Sequence, residues 1–322
     1  MKSSLRTLLT GIVDYAGLFP PAQLPLEQAI ANYARYRESP EAWMLGRFVC
    51  PAAKLANVSA FHDDLLNSGP PFAFSVLGPM DSAAAQCRES LKSALESLKA
   101  FCDRHGDQVV ANVLEMKVPS DLVDVTDPKA TADRLRDIGS VFESTGFEKL
   151  TVFFEWGFDL GAQAVATVIE AIVLYNRRAA GWAGFKLRCG GASAQAVPSA
   201  EQIAFVIRNA VMNGVPLKAT AGLHHPFPHF DSVMNTRMHG FVNVFGAAVM
   251  GFVRHLKPDE VVAILNDQNP AHFVFDDTGF HYGAMHASIG EIHEARRDGL
   301  TSFGSCSFDE PREALRALGW LP

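Results

Sequence analysis

Charged side chains suited to catalysis lie at the ends of several apolar runs in this sequence. They are two carboxylates and three cations: Glu115, Glu155, Lys186, Arg188 and Lys218. Charged residues are rarely buried unless they are paired, so these groups on neighbouring strands would satisfy one another. Lysine and glutamate are also the residue types that combine covalent amine catalysis with proton transfer. The pattern predicts an active site, and a structural ion-pair network is the alternative interpretation.

The two lysines are expected to lie side by side. Side chains two residues apart on a strand share a face, so Lys186 points with Arg188, and Lys218 points with Thr220. Adjacent parallel strands lie about 4.8 Å apart, which brings both lysine stems together if both point inward. A neighbouring like charge disfavours the protonated form of an amine. We therefore expect one lysine with a lowered pKa, ready to act as a Schiff-base nucleophile.

Further polar residues near these strands suggest a small anionic substrate. The planar guanidinium of Arg188 suits a carboxylate or a phosphate. Gly190 and Gly191 would let backbone N–H groups approach the same anion, although an ordinary turn also explains them. His224 and Asn243 are expected to complete the substrate-binding set.

Histidines after the Lys218 run give a rival hypothesis. His224 and His225 could join Glu115 and Glu155 around a divalent ion, because imidazole with carboxylate suits Zn, Mn or Fe. This arrangement would indicate a metal-dependent lyase, isomerase or hydrolase. A barrel that binds a small molecule without catalysis is a third possibility.

The elements that would position these residues alternate between short apolar runs and amphipathic stretches. The runs are read as eight strands near 44–49, 72–77, 109–115, 150–155, 183–188, 216–220, 241–245 and 272–276. The helical stretches include Pro25–Arg37, Ala83–His105, Ala162–Arg178 and Ala200–Met212. Eight uniform strand–helix units favour an α/β fold, the (β/α)8 TIM barrel, over an open doubly wound sheet. Barrel enzymes carry their chemistry at the C-terminal ends of the strands.

The remaining segments are expected to surround one barrel domain over residues 1–322. Residues 1–24 are interpreted as an N-terminal arm near the barrel mouth, where the segment Asp14–Leu24 either covers the mouth or only covers apolar surface. Asp276 and Asp277 after the eighth run could bind substrate or cap a turn. The segment Ser302–Ser307 could hold a phosphate or form a plain turn.

Composition narrows the function classes. The 322 residues are 48% hydrophobic and carry a net charge of −7, with scattered basic residues that indicate neither a nucleic-acid partner nor a membrane partner. Five cysteines without a CxxC pair favour a reducing cytoplasmic location. No secretory signal or membrane-spanning run is recognised. Nucleotide-binding and α/β-hydrolase motifs are also absent. A homo-oligomer is possible.

Two short strands resemble those of the deoxyribose-phosphate aldolases. Lys218-Ala219-Thr220-Ala221-Gly222 resembles the strand that carries the Schiff-base lysine of that family. Lys186-Leu187-Arg188-Cys189-Gly190-Gly191 resembles its second lysine strand. The likeness covers these two strands only.

The resemblance implies a cofactor-free carbon–carbon lyase that acts on a small oxo acid or sugar derivative. It makes Lys218 the nucleophile and Lys186 the neighbour that lowers its pKa. Glu115 or Glu155 would then serve as the general acid and base. In the family the Schiff-base strand comes first along the chain, whereas here it comes second, so the two lysine roles can also be exchanged.

Overall fold

A closed barrel of eight parallel strands forms the centre of the molecule. The computed structural model describes residues 1–61, 69–80, 83–147, 149–179, 182–191 and 193–322. The barrel strands are β1 (Val13–Tyr15), β2 (Leu45–Pro51), β3 (Phe72–Leu77), β4 (Val109–Lys117), β5 (Thr151–Glu155), β6 (Trp182–Arg188), β7 (Leu217–Thr220) and β13 (Leu300–Ser305). Each strand pairs with its neighbours in parallel, and β13 closes the ring against β1. The predicted (β/α)8 class is confirmed.

Helices connect the strands. They are α1 (Ser3–Leu9), α2 (Leu26–Arg37), α3 (Leu55–Val58), α4 (Ala84–His105), α5 (Pro128–Thr145), α6 (Gly161–Asn176), α7 (Ala200–Asn213), α8 (Phe241–Arg254), α9 (Pro258–Asn266), α10 (Ile289–Glu294) and α11 (Asp309–Ala317). Local sequence fixes several ends. Ser199 and Gln202 form a capping box that begins α7, and Gly214 ends it in the left-handed conformation. The four helical stretches expected from the sequence are confirmed within two residues at each end.

The last barrel unit is enlarged between β7 and β13. It holds a hairpin of β8 (His229–Asp231) and β9 (Thr236–Met238). It also holds an antiparallel sheet of β10 (Phe273–Phe275), β11 (Gly279–Tyr282) and β12 (Met285–Ser288). These elements, with α8, α9 and α10, separate the seventh and eighth barrel strands by about 80 residues of sequence.

Two of the eight predicted barrel strands are wrong, and the structure forms two barrel strands where the sequence predicts an arm and a turn. The segment 241–245 is the start of α8, and the strand at 273–275 pairs outside the barrel. The true first strand lies within the expected N-terminal arm, and the true eighth strand occupies most of the expected turn at Ser302–Ser307. Asp276 and Asp277 instead hold local structure: Asp276 accepts hydrogen bonds within its own turn, and Asp277 accepts from Ser3 at the start of α1.

Helix α8 shows why a short apolar run can mislead a strand prediction. Residues 241–245 are four apolar residues around Asn243, but they begin a helix of 14 residues that is buried on nearly all sides. A run this long fits a buried helix, and a short apolar window cannot distinguish the two. Asn243 therefore does not face the barrel mouth. Its amide donates to backbone carbonyls at the end of α9, 2.7 Å away.

The N-terminal region is part of the barrel rather than an arm alone. Residues 3–9 form α1, and Asp14 lies in the middle of β1 with its side chain fully buried. The buried guanidinium of Arg296 donates to the carbonyl of Leu8 near the end of α1 and to the carbonyl of Leu300 at the start of β13. The remaining loop before Leu26 follows β1 and starts at the C-terminal end of the strands.

Among the described residues, no helix has the length and apolar character needed to cross a membrane.

Candidate active site

Six charged groups of alternating sign form a continuous chain through the barrel. From the inside outward they are Asp14, Lys218, Glu115, Lys186, Glu155 and Arg188. Lys218 contacts Asp14 and lies 2.9 Å from Glu115. The Lys186 amine lies 2.8 Å from Glu115 and 2.7 Å from Glu155. Arg188 lies 3.1 Å from Glu155 and ends the chain.

The strand register explains this convergence. Lys186 and Lys218 are direct partners across β6 and β7, and Glu155 is the direct partner of Lys186 across β5 and β6. All five charged residues predicted for the site are therefore brought together. Side-chain exposure rises from 1% at Lys218 to 5% at Lys186 and 47% at Arg188, so the chain runs from the sealed interior to the surface.

The inner end is held by polar groups that sequence reasoning missed. Asp14 accepts hydrogen bonds from the Ser302 hydroxyl at 2.7 Å and from the Arg47 backbone N–H at 2.6 Å. Ser75 donates to Glu115 at 2.5 Å and lies 3.5 Å from the Lys218 amine. The deep carboxylates are thus satisfied by neutral donors as well as by lysine.

Asp14, Ser75 and Ser302 left only weak signals in the sequence. Asp14 and Ser75 are each a single polar residue inside an otherwise apolar run, and Ser302 lies in a segment rich in serine and glycine. Asp14 was the strongest available clue, because an isolated carboxylate in the segment Ile12–Tyr15 needs a buried partner.

Charge pairing outweighs burial in this network. Burial raises the pKa of the Glu115 carboxyl, but the charges of Lys186 and Lys218 lower it more, so it is held well below its usual range. Burial also opposes ionisation of Glu155, whose pKa is lowered by Lys186 and then by Arg188. Both glutamates are consequently ionised at neutral pH.

The expected lowering of a lysine pKa is wrong for Lys186. Burial lowers the pKa of its amine, but the neighbouring charges of Glu115 and Glu155 raise it further than burial lowers it. Opposite charges at less than 3 Å outweigh the like charge of Lys218 on the next strand. The resting amine of Lys186 is therefore an ammonium.

The rim residues have mixed roles. Thr220 lies against Gly304 on the adjacent strand, at the level of Arg188. Gly190 approaches Gly222 so closely that an added Cβ would lie 2.9 Å from the Gly222 Cα. Gly191 is similarly packed against a neighbouring alanine. Close packing in the loops after β6 and β7 therefore explains why both positions need glycine. A role of these glycines in anion binding stays a prediction.

The histidines do not join the glutamates. His224 Nδ1 lies 2.7 Å from Glu310 in α11, and the ring of His225 packs on that of His229 with centroids 4.1 Å apart. Both oxygens of Glu115 are occupied by lysines. The metal set of the rival hypothesis is therefore not assembled. Among the described residues, three ligand atoms that could hold a metal ion lie within 4.8 Å of one another at His224, Cys306 and Glu310 instead.

No protein family model matches this sequence, and a search of curated proteins finds no significant relative.

Proposed function

We propose that this protein is a Schiff-base carbon–carbon lyase that acts on a small oxo compound bearing an anionic group. The observation that carries the proposal is the position of the Lys186 amine between Glu115 and Glu155, one step inside the exposed Arg188. An amine flanked by two carboxylates has proton acceptors within reach and a binding group for an anion beside it.

Lys186 is a better candidate nucleophile than Lys218. The Lys218 amine is enclosed by Asp14 and Glu115, with Ser75 nearby, and its side chain is 1% exposed. A substrate that reached it would have to pass Lys186. Exchange of the two roles implied by the aldolase resemblance therefore fits the geometry. Lys218 then acts by holding Glu115 ionised.

Glu155 is suited to move the proton of Lys186. Its Oε2 lies 2.7 Å from the amine, within reach of direct proton transfer. Transfer of a proton to Glu155 gives the neutral amine, which attacks the substrate carbonyl carbon. Glu155 then returns the proton to the carbinolamine hydroxyl, water leaves, and an iminium remains on Lys186.

Glu115 and Glu155 stabilise this iminium, because the positive charge of the iminium replaces the ammonium charge at the same nitrogen. Glu155 next accepts the proton of the substrate β-hydroxyl, the carbon–carbon bond breaks, and its electron pair neutralises the iminium as an enamine. Glu155 returns this proton to the enamine carbon, and addition of water to the resulting iminium releases the second product and restores the ammonium of Lys186. Arg188 would hold the substrate anion, since its contact with Glu155 uses one of five N–H donors.

Borohydride trapping tests this proposal directly. The protein is incubated with pyruvate, 2-oxobutyrate or acetaldehyde, reduced, and weighed intact by mass spectrometry. A single adduct is expected in the wild type and in Lys257→Arg, an exposed control on the surface. Lys186→Arg preserves the charge of the network but cannot form the adduct. An adduct retained in Lys186→Arg overturns the assignment. Absence of any adduct overturns the lyase proposal in favour of a binding barrel.

A further inference from the structure

Three potential metal ligands meet at the C-terminal end of the barrel, apart from the lysine network. His224, Cys306 and Glu310 each offer one ligand atom, and these atoms all lie within 4.8 Å of one another. They come from the loop after β7, the residue that follows β13, and the first turn of α11. Chain segments that are distant in sequence therefore bring three different ligand types to one point.

The backbone before His224 is held in an unusual conformation. Ala221 and Gly222 have consecutive positive φ values of 61° and 73°, which turn the chain sharply after β7. Alanine rarely adopts this conformation, and such strain is characteristic of functional sites. On the opposite side, Ser307 Oγ accepts from the Glu310 backbone N–H at 3.1 Å and fixes the start of α11. The ligands are thus presented by a constrained backbone.

The ligand chemistry selects a borderline soft cation. Thiolate and imidazole with one carboxylate suit Zn²⁺, whereas Mg²⁺ and Ca²⁺ require oxygen ligands. His224 and Glu310 form a hydrogen-bonded pair at 2.7 Å, and the Cys306 thiol lies within 4.8 Å of both ligand atoms. Glu310 is exposed and Cys306 is buried, so an ion held here would have protein on one side and solvent on the other.

We propose that His224, Cys306 and Glu310 form a binding site for Zn²⁺ with three protein ligands and one open position. The open position would be filled by water or by an oxygen of a small molecule at the barrel mouth. This inference is independent of the Schiff-base proposal, because none of its ligands belongs to the charged network around Lys186.

Cobalt substitution tests the site by a signal that does not depend on enzyme activity. Untagged protein is freed of metal with a chelator and titrated with Co²⁺. We expect one tightly bound ion per chain, with a thiolate-to-cobalt charge-transfer band in the near ultraviolet and intense visible bands of four-coordinate cobalt. Cys306→Ser should remove the charge-transfer band. His224→Ala and Glu310→Gln should each weaken binding by at least about 100-fold, since even outer-shell changes weaken metal sites 10–100-fold.

Two control variants test whether Co²⁺ binds at other thiol or imidazole groups instead. Cys102→Ser removes another partly accessible thiol, and His225→Ala breaks the neighbouring histidine pair. Both should bind Co²⁺ as the wild type does, and circular dichroism confirms that every variant is folded. The proposal is overturned if Co²⁺ binds without a thiolate band. It is also overturned if the band survives in Cys306→Ser, or if His225→Ala abolishes binding while His224→Ala does not.

Discussion

Replacement of Glu115 by glutamine removes the central negative charge of the network while keeping the shape of the side chain. Glu115 makes two ion pairs, at 2.8 and 2.9 Å, and accepts a hydrogen bond from Ser75 at 2.5 Å. The amide can still accept from Ser75, so the change is mainly electrostatic. The three cations would then face only two carboxylates, with Lys186 and Lys218 buried beside an uncharged group.

The expected loss in the free energy of unfolding is about 3–5 kcal/mol, the cost of removing one partner from a buried ion pair. A second change should recover part of this loss. In Glu115→Gln/Lys186→Met, two carboxylates again face two cations, so the double variant should be more stable than the sum of the single effects by about 1–3 kcal/mol.

Urea unfolding followed by circular dichroism measures these differences. Glu96→Gln, an exposed change on α4, provides the matched control and should lie within about 0.5 kcal/mol of the wild type. The electrostatic argument is refuted if Glu115→Gln loses less than about 1 kcal/mol, or if the two network changes are simply additive.

The pH dependence of stability tests the same network, and two further substitutions test other parts of the structure. The pKa of Glu115 is lowered from an ordinary 4.5, so its stabilising effect is present above pH 4.5 and should fade as acid protonates the folded carboxyl. The pKa of Lys186 is raised from an ordinary 10.5, so its stabilising effect should be present up to pH 10.5 and should fade as the pH rises further. Stability measured from about pH 3 to about pH 11 should therefore form a broad plateau, with a shallower acid limb in Glu115→Gln. Gly46→Ala should cost about 1–3 kcal/mol in urea unfolding, because its Cβ would lie 2.3 Å from the Asp14 carboxylate. Asn243→Ala should cost about 1–3 kcal/mol by releasing the end of α9, yet leave borohydride trapping unchanged.

The sequence predicts the barrel strands correctly where a compact apolar run also carries a polar residue of the site. Six barrel strands, from β2 to β7, could be predicted because each is a compact apolar run, and five of them end in or carry a polar residue that faces the site or its rim. The charged residues at these ends lie together because parallel strands share one C-terminal face.

The first and last barrel strands could not be identified in the same way. Strand β1 has three residues, too few for any periodicity, and β13 reads as a glycine- and serine-rich turn. Both are specified by their neighbours: Asp14 and Ser302 pair across them inside the closed ring. Closure of the barrel is a tertiary property, and the local sequence does not encode it.

The candidate site is also only partly predictable from local sequence. Residue types indicated a lysine–glutamate centre, but the direction of the Lys186 pKa shift depends on distances of less than 3 Å to two carboxylates. Those distances follow from strand stagger and side-chain length, which no single strand reveals. The cluster of His224, Cys306 and Glu310 is equally hidden in the sequence, because Cys306 directly follows β13, which does not resemble a strand.

Peptide mapping of the reduced pyruvate adduct tests the central claim most directly. After trapping and proteolysis, the account predicts that the mass increase lies on the peptide containing Lys186, while peptides with exposed residues such as Lys92 and Lys257 remain unmodified. An adduct on Lys218 would contradict the assignment of the nucleophile. An adduct spread over exposed lysines would contradict the Schiff-base site itself.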